Sequence, residues 1–122
     1  MTDEVRKRLL DALRACDSIQ EFVSGVDFGA YQDDLLLRSA VERQLEIVGE
    51  ALGQAANEDE KLEELIPAIP RIVALRNRVI HGYDSVDDEI VWDIVQSDVP
   101  VLWSRLRDLL DEGGGEEKSG LG

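Results

Sequence analysis

The stretch Ala40-Val41-Glu42-Arg43-Gln44-Leu45-Glu46-Ile47-Val48-Gly49-Glu50-Ala51 reads as the middle of a long amphipathic helix. Its apolar set continues in both directions. Across positions 33–56, Leu37, Val41, Leu45, Val48, Leu52 and Ala55 recur at the spacing that gathers one face of an α-helix. Glycine inside a helix costs stability relative to alanine, so Gly49 implies the close approach of another helix, or a site beside it. Glu50, next to that glycine, becomes a candidate site residue.

Working outward, Thr2 is placed as an N-cap, and Val5, Leu9, Ala12, Leu13, Cys16, Ile19, Phe22 and Val23 follow at helical spacing until Gly25 ends the run. Cys16 lies on that apolar stripe and is expected in the core. Val26-Asp27-Phe28-Gly29 reads as a turn, and 57–64 as an acidic connection. Pro67 and Pro70 fall near the start of a third helix, where a missing amide donor matters least. Asp87 and Asp88 provide a cap and first-turn charge for a fourth helix carrying Ile90, Val91, Ile94 and Val95. Pro100 predicts a kink or fresh start near 97–100, followed by Val101, Leu102, Leu106, Leu109 and Leu110. Trp92 and Trp103 are expected as core or dimer-interface anchors rather than a base-stacking platform. No segment alternates like a strand and nothing repeats. The expected fold is all-α, an up-and-down bundle of four helices, or five if the Pro100 break is counted. The domain is expected over 1–112, with the glycine-rich segment 113–122 disordered.

One cysteine and one histidine cannot assemble a zinc site of ordinary ligand number, so no metal is assigned. No window approaches membrane-spanning length and no leader pattern is present, so a cytoplasmic protein without a membrane partner is expected. The net charge of −14 argues against a general nucleic-acid binder. Local charge differs from net charge: acids cluster at Glu58, Asp59, Glu60, Glu63 and Glu64 and at Asp84, Asp87, Asp88 and Glu89, whereas 65–83 contain three arginines and no carboxylate.

That cationic island ends in Arg76-Asn77-Arg78-Val79-Ile80-His81-Gly82-Tyr83, which holds the chain's one histidine. Imidazole takes and gives a proton near neutrality, and guanidinium is a permanent planar cation matched to phosphate oxygens. Together they are the minimum for metal-free RNA cleavage. Gly82 can terminate the helix, which would place His81 near a carbonyl end that favours its protonated form. On an ideal helix Arg76 and His81 diverge by about 140°. A homodimer, with two copies of this helix about a two-fold axis, would line one cleft with both groups.

Arg-x4-His-x-Tyr is the signature of the HEPN ribonucleases, and the chain resembles the HepT-like toxins among them. The resemblance extends over the 40–51 block, the 76–83 block, Val86-Asp87-Asp88-Glu89-Ile90-Val91-Trp92 and Ser97-Asp98-Val99-Pro100, in the same order and at similar spacing. It implies a HEPN-like helical bundle, commonly dimeric. It also implies the toxin of a type VII-like toxin–antitoxin system: an endoribonuclease neutralised when a minimal nucleotidyltransferase antitoxin transfers AMP to the motif tyrosine, here Tyr83. By the same resemblance Arg76 clamps the phosphate, His81 is the general acid/base for attack by the ribose 2′-hydroxyl, and Asn77 is a polar support. Arg78 and Glu50 are further supporting candidates. No cofactor is implied; RNA is the substrate. The alternative is a non-catalytic module whose cleft holds a nucleotide or docks the nucleotidyltransferase.

Overall fold

The computed structural model describes residues 1–80 and 87–121, and the side chains of these apart from 78–80 and 113–121. All regular structure among the described residues is helical. The elements are α1 (Asp3–Val23), α2 (Phe28–Asp33), α3 (Leu35–Glu58), α4 (Leu62–Leu65), α5 (Ile69–Ile80), α6 (Asp88–Asp93), a π-helical turn (Ile94–Asp98) and α7 (Val99–Leu121). The disorder expected for 113–122 falls on positions whose side chains lie outside the described residues.

Side chains start the helices, at Thr2 and Asp87 as expected and at Asp34 besides. Thr2 accepts the Val5 amide at 3.1 Å, Asp34 the Leu37 amide at 3.0 Å, and Asp87 the Glu89 amide at 2.9 Å, each satisfying a donor that the first turn leaves open. Gly25, with φ of +74°, takes the left-handed conformation just beyond α1. The expected turn at 26–29 instead begins α2, because Asp27 accepts the Ala30 amide at 2.8 Å. Tyr31 then locks α2 down, its ring 5.0 Å from that of Trp92.

Helix α3 is the shared wall of the bundle, packed against α1, α2, α4 and α5, while α7 closes the far side of α1. Val41, Leu45, Val48, Leu52 and Ala55 of α3 are fully buried against Leu9, Ala12, Cys16 and Ile19 of α1 and Ile69 and Ile72 of α5. Val91, Ile94, Val99, Leu102 and Leu106 complete the core, whereas Val101 stays 61% exposed, off the stripe formed by its neighbours. A polar seam fastens α1 to α7: the Arg6 guanidinium donates to the Leu110 carbonyl and the Trp103 indole donates to Asp17. Both tryptophans thus make contacts within the chain, Trp92 with Tyr31 and Trp103 with Asp17. Burial pushes the Cys16 thiol up to about 12, with Asp17 adding to the shift.

The interruption expected near Pro100 takes the form of a π turn over Ile94–Asp98, after which α7 begins at Val99. Pro100 has no N–H to donate and would crowd the carbonyl four residues back; the chain responds by widening one turn, with the Val99 amide donating to the Ile94 carbonyl five residues earlier. Asp93, Ile94 and Val99 all keep right-handed helical dihedrals, so α6 passes through the π turn into α7 without an intervening loop.

Where α6 begins, Arg38 of α3 reaches Asp88 at 4.0 Å and donates to the Gln32 carbonyl. Glu42 shares this corner with Asp88 and with the fully buried Tyr31, whose hydroxyl has no partner among the described residues. Partial burial, then repulsion from Asp88, raises the Glu42 carboxyl above its ordinary value; Arg38 offsets part of this and Glu46 adds to it. The folded protein therefore holds the Glu42 proton more tightly than the unfolded chain does, and stability falls as pH rises between the two pKa values. Glu42→Gln is expected to raise stability at neutral pH and to flatten that fall. Urea denaturation of both proteins from acid to neutral pH measures it, and parallel curves with no neutral-pH gain would contradict this account.

Candidate active site

Helix α5 crosses α3 at Gly49. A Cβ built at that position would lie 2.5 Å from the Arg76 Cβ, 3.0 Å from its Cγ and 3.2 Å from the Ile72 carbonyl oxygen. Only glycine leaves room for the Arg76 stem, which lies on bare α3 backbone. Its guanidinium emerges half-buried and donates through Nη1 to the Asn77 Oδ1 at 2.8 Å. Beside them the two helices enclose a cleft of about 310 Å³ lined by Gly49, Glu50, Gly53, Gln54, Glu63, Arg76 and Asn77, among others. Of the residues singled out in the sequence, Arg76, Asn77 and Glu50 are thus brought together. His81 and Tyr83 lie outside the described residues, as does the side chain of Arg78.

Gln54, Gly53, Asn57 and Glu63 are cleft residues that the sequence reading missed. A signal existed, since positions 50, 53, 54 and 57 recur at helical spacing beside Gly49 and so share one face of α3. Gln54 donates to Glu50 at 3.4 Å. Its own carbonyl oxygen, like the Arg76 Nε, is shielded and without a hydrogen-bond partner among the described residues. Both residues line the cleft, but these two atoms are closed to solvent as the side chains stand, and burial without a partner is a cost to the fold.

The cationic island is thinner than the sequence suggests. Arg71 pairs with Asp93 at 2.7 Å and Asp98 at 3.0 Å. Those aspartates are five residues apart, which on an ideal α-helix would separate them by about 140°. The π turn stacks one over the other, and a single guanidinium spans both. The Arg71 hydrogen bond holds the Asp93 carboxyl below the ordinary range. Among the described residues no group of three His, Cys, Asp or Glu side chains is placed to hold a metal ion, and no helix is long and apolar enough to cross a membrane.

A family model described as ribonuclease HepT-like matches residues 12–109. The chain belongs to the HepT-like ribonuclease family. A Methanocaldococcus jannaschii protein provisionally named RNase MJ1380 is 35% identical over 101 residues, covering 81% of this chain and 90% of its own. The same organism's RNase MJ0127, also a provisional name, is 30% identical over 120 residues and 97% of each chain. A Thermococcus cleftensis protein named "Probable ribonuclease HepT" is 33% identical over 103 residues, 83% of this chain and 91% of its own. No solved structure matches. The HepT-like match includes both walls of the cleft and the whole 76–83 block.

The two glycines of the α3 wall make opposite predictions. Gly49→Ala forces α5 outward, and overpacking of this kind costs about 1–3 kcal/mol. At Gly53 an added Cβ meets only the Val73 Cγ2 at 3.6 Å, an ordinary contact. Gly53→Ala should therefore stabilise the helix by roughly 0.5–1 kcal/mol. Urea denaturation of the two variants beside the parent protein checks the pair, and equal effects would contradict the proposed crossing.

Proposed function

We propose that this HepT-like chain is a metal-independent endoribonuclease, the toxin of a type VII-like toxin–antitoxin pair, and that it works as a homodimer. The observation that carries the reading is Arg76, the arginine of the family motif, seated on Gly49 at the mouth of a polar cleft in a chain with ribonuclease relatives. A planar guanidinium supported by Asn77 suits two oxygens of a phosphodiester and the charge that gathers on them in the transition state. His81 takes the proton from the ribose 2′-hydroxyl as that oxygen attacks phosphorus. The bond to the 5′-oxygen breaks, and a proton delivered there leaves a 2′,3′-cyclic phosphate and a 5′-hydroxyl. Arg78 and Glu50 support the site from its edges, and a second chain brings a matching Arg76 and His81 to one cleft.

Control is proposed to act through Tyr83. A minimal nucleotidyltransferase antitoxin joins the tyrosyl oxygen to the α-phosphate of ATP with release of pyrophosphate. The attached AMP brings a negative charge and a bulky adenosine against the arginines, where it blocks the RNA backbone.

Purified protein should cut RNA in the presence of chelator, leave cyclic phosphate ends, and spare a substrate carrying 2′-deoxyribose at the cut. Arg76→Ala and His81→Ala should each reduce cleavage by at least about a hundredfold, the scale of losing a general acid/base or a transition-state donor, with helical circular dichroism retained. Mixing the two variants should restore activity if two chains share a site. Cleavage of the deoxy substrate, or full dependence on added magnesium, would sink the mechanism.

Tyr83→Phe should keep its cleavage yet gain no mass from the nucleotidyltransferase and ATP. An equal mass gain in parent and variant would move the modification elsewhere.

A further inference from the structure

The cleft beside Arg76 is uneven in charge. Arg76 is the one cation among the described residues that line it, and the carboxylates Glu50 and Glu63 line it as well. Glu50 is engaged, accepting from Gln54 at 3.4 Å. Glu63 on α4 and Asn57 near the end of α3 are exposed, separated by the turn 59–61, and neither side chain has a hydrogen bond or ion pair to a described residue. Asn57 lies about two turns along α3 from Gly49, where Arg76 crosses, or roughly 12 Å away. The walls carry short side chains, Gly53 and Ala56 from α3 and Pro70 and Val73 from α5, which leave open the 310 Å³ of the cleft.

This distribution selects among the parts of a nucleotide. A phosphate at Arg76 has a cation; a second phosphate deeper in the cleft would meet carboxylates and none. What the rest of the cleft can accept is a neutral, flat group with donors at its far edge. A nucleobase is such a group, and its Watson–Crick edge is the part of a nucleotide farthest from the phosphate. An ionised carboxylate only accepts, through two oxygens side by side. Guanine alone among the four bases presents two adjacent donors on that edge, N1–H and the N2 amine. Adenine and cytosine place a lone-pair nitrogen beside their amine, and uracil sets its N–H between two carbonyls; each turns an acceptor toward a carboxylate that needs donors.

We propose that the cleft is a base-reading subsite selective for guanine: the base on one side of the scissile phosphate enters between α3 and α5, Glu63 accepts from N1–H and the N2 amine, and the Asn57 amide donates to O6. The placement of that phosphate at Arg76 rests on the ribonuclease reading. Glu63 is then a specificity residue, and the acidity of the cleft serves to choose the sequence that is cut.

Binding tests this apart from catalysis. Trinucleotides of 2′-O-methyl RNA keep their phosphates and lack the attacking hydroxyl. Five of them, with guanine, adenine, cytosine, uracil or hypoxanthine between two uridines, are titrated by calorimetry against the full chain and against Glu63→Gln. The parent should bind the guanine strand about tenfold more tightly than each of the others, the scale of a hydrogen bond to a charged group. Hypoxanthine keeps N1–H and O6, so its tenfold loss would report the N2 amine alone. Glu63→Gln should bring guanine level with uracil. Equal affinity for all five strands, preference for another base, no binding, or a guanine preference that survives Glu63→Gln overturns the subsite. If the variant changes in helical circular dichroism, the comparison of guanine with hypoxanthine on the parent decides. Cleavage by the parent with no guanine favoured beside the cut removes the subsite alone, whereas guanine-selective binding without cleavage removes the ribonuclease reading alone.

Discussion

Helix α5 can rest on α3 only because position 49 has no side chain. With a methyl group there, the Arg76 stem would have to lift, taking with it the Ile72 carbonyl and the turn that carries both. The same crossing sends Ile72 into the core with Val48 and Leu52, so one contact satisfies packing on its inner side and aims a guanidinium on its outer side. Helical glycine carries an entropic cost, and the bundle recovers it through close packing of the pair, with dispersion contacts made at full interior density.

Charge follows a second constraint. A chain with 27 carboxylates and 13 basic residues has few cations to spare, and several of the arginines face carboxylates. Arg38 faces Asp88, Arg43 faces Glu46, and Arg71 spans Asp93 and Asp98. Exposed pairs like these contribute little stability. Their larger effect is to leave Arg76 as the arginine of α5 whose described partner is neutral, so its charge is not cancelled by contact.

Much of the bundle was legible because α1 and α3 are long and carry a continuous apolar period, and because Thr2 stands as a cap where the first run begins. Helix α2 was not. It has six residues, too few for a stripe, and exists through the Asp27 cap and the burial of Tyr31 beneath Trp92, a partner far along the chain. Pro100 marked where the last helix is interrupted, but not the form of the interruption, because local rules know that proline removes a hydrogen bond but not that five residues can close a wider turn beside it. At the site, Gly49 declared itself because glycine is out of place in a good helix. Gln54 and Asn57 did not, since a polar face looks the same in sequence whether it borders a cleft or open water. Arg71 looked like a member of the cationic island for a similar reason: its aspartates are brought to it by tertiary structure.

Cys16 has a practical consequence. With burial pushing the thiol up to about 12, little of it is thiolate near neutral pH, and the sulfur is enclosed as well. Ordinary alkylating reagents should therefore pass it by while the protein stays folded. The chain is in effect a cysteine-free background for labelling: a new thiol on the rim of the Arg76 cleft would be the one that takes a spin label or a fluorophore, with no need to disturb the centre of α1.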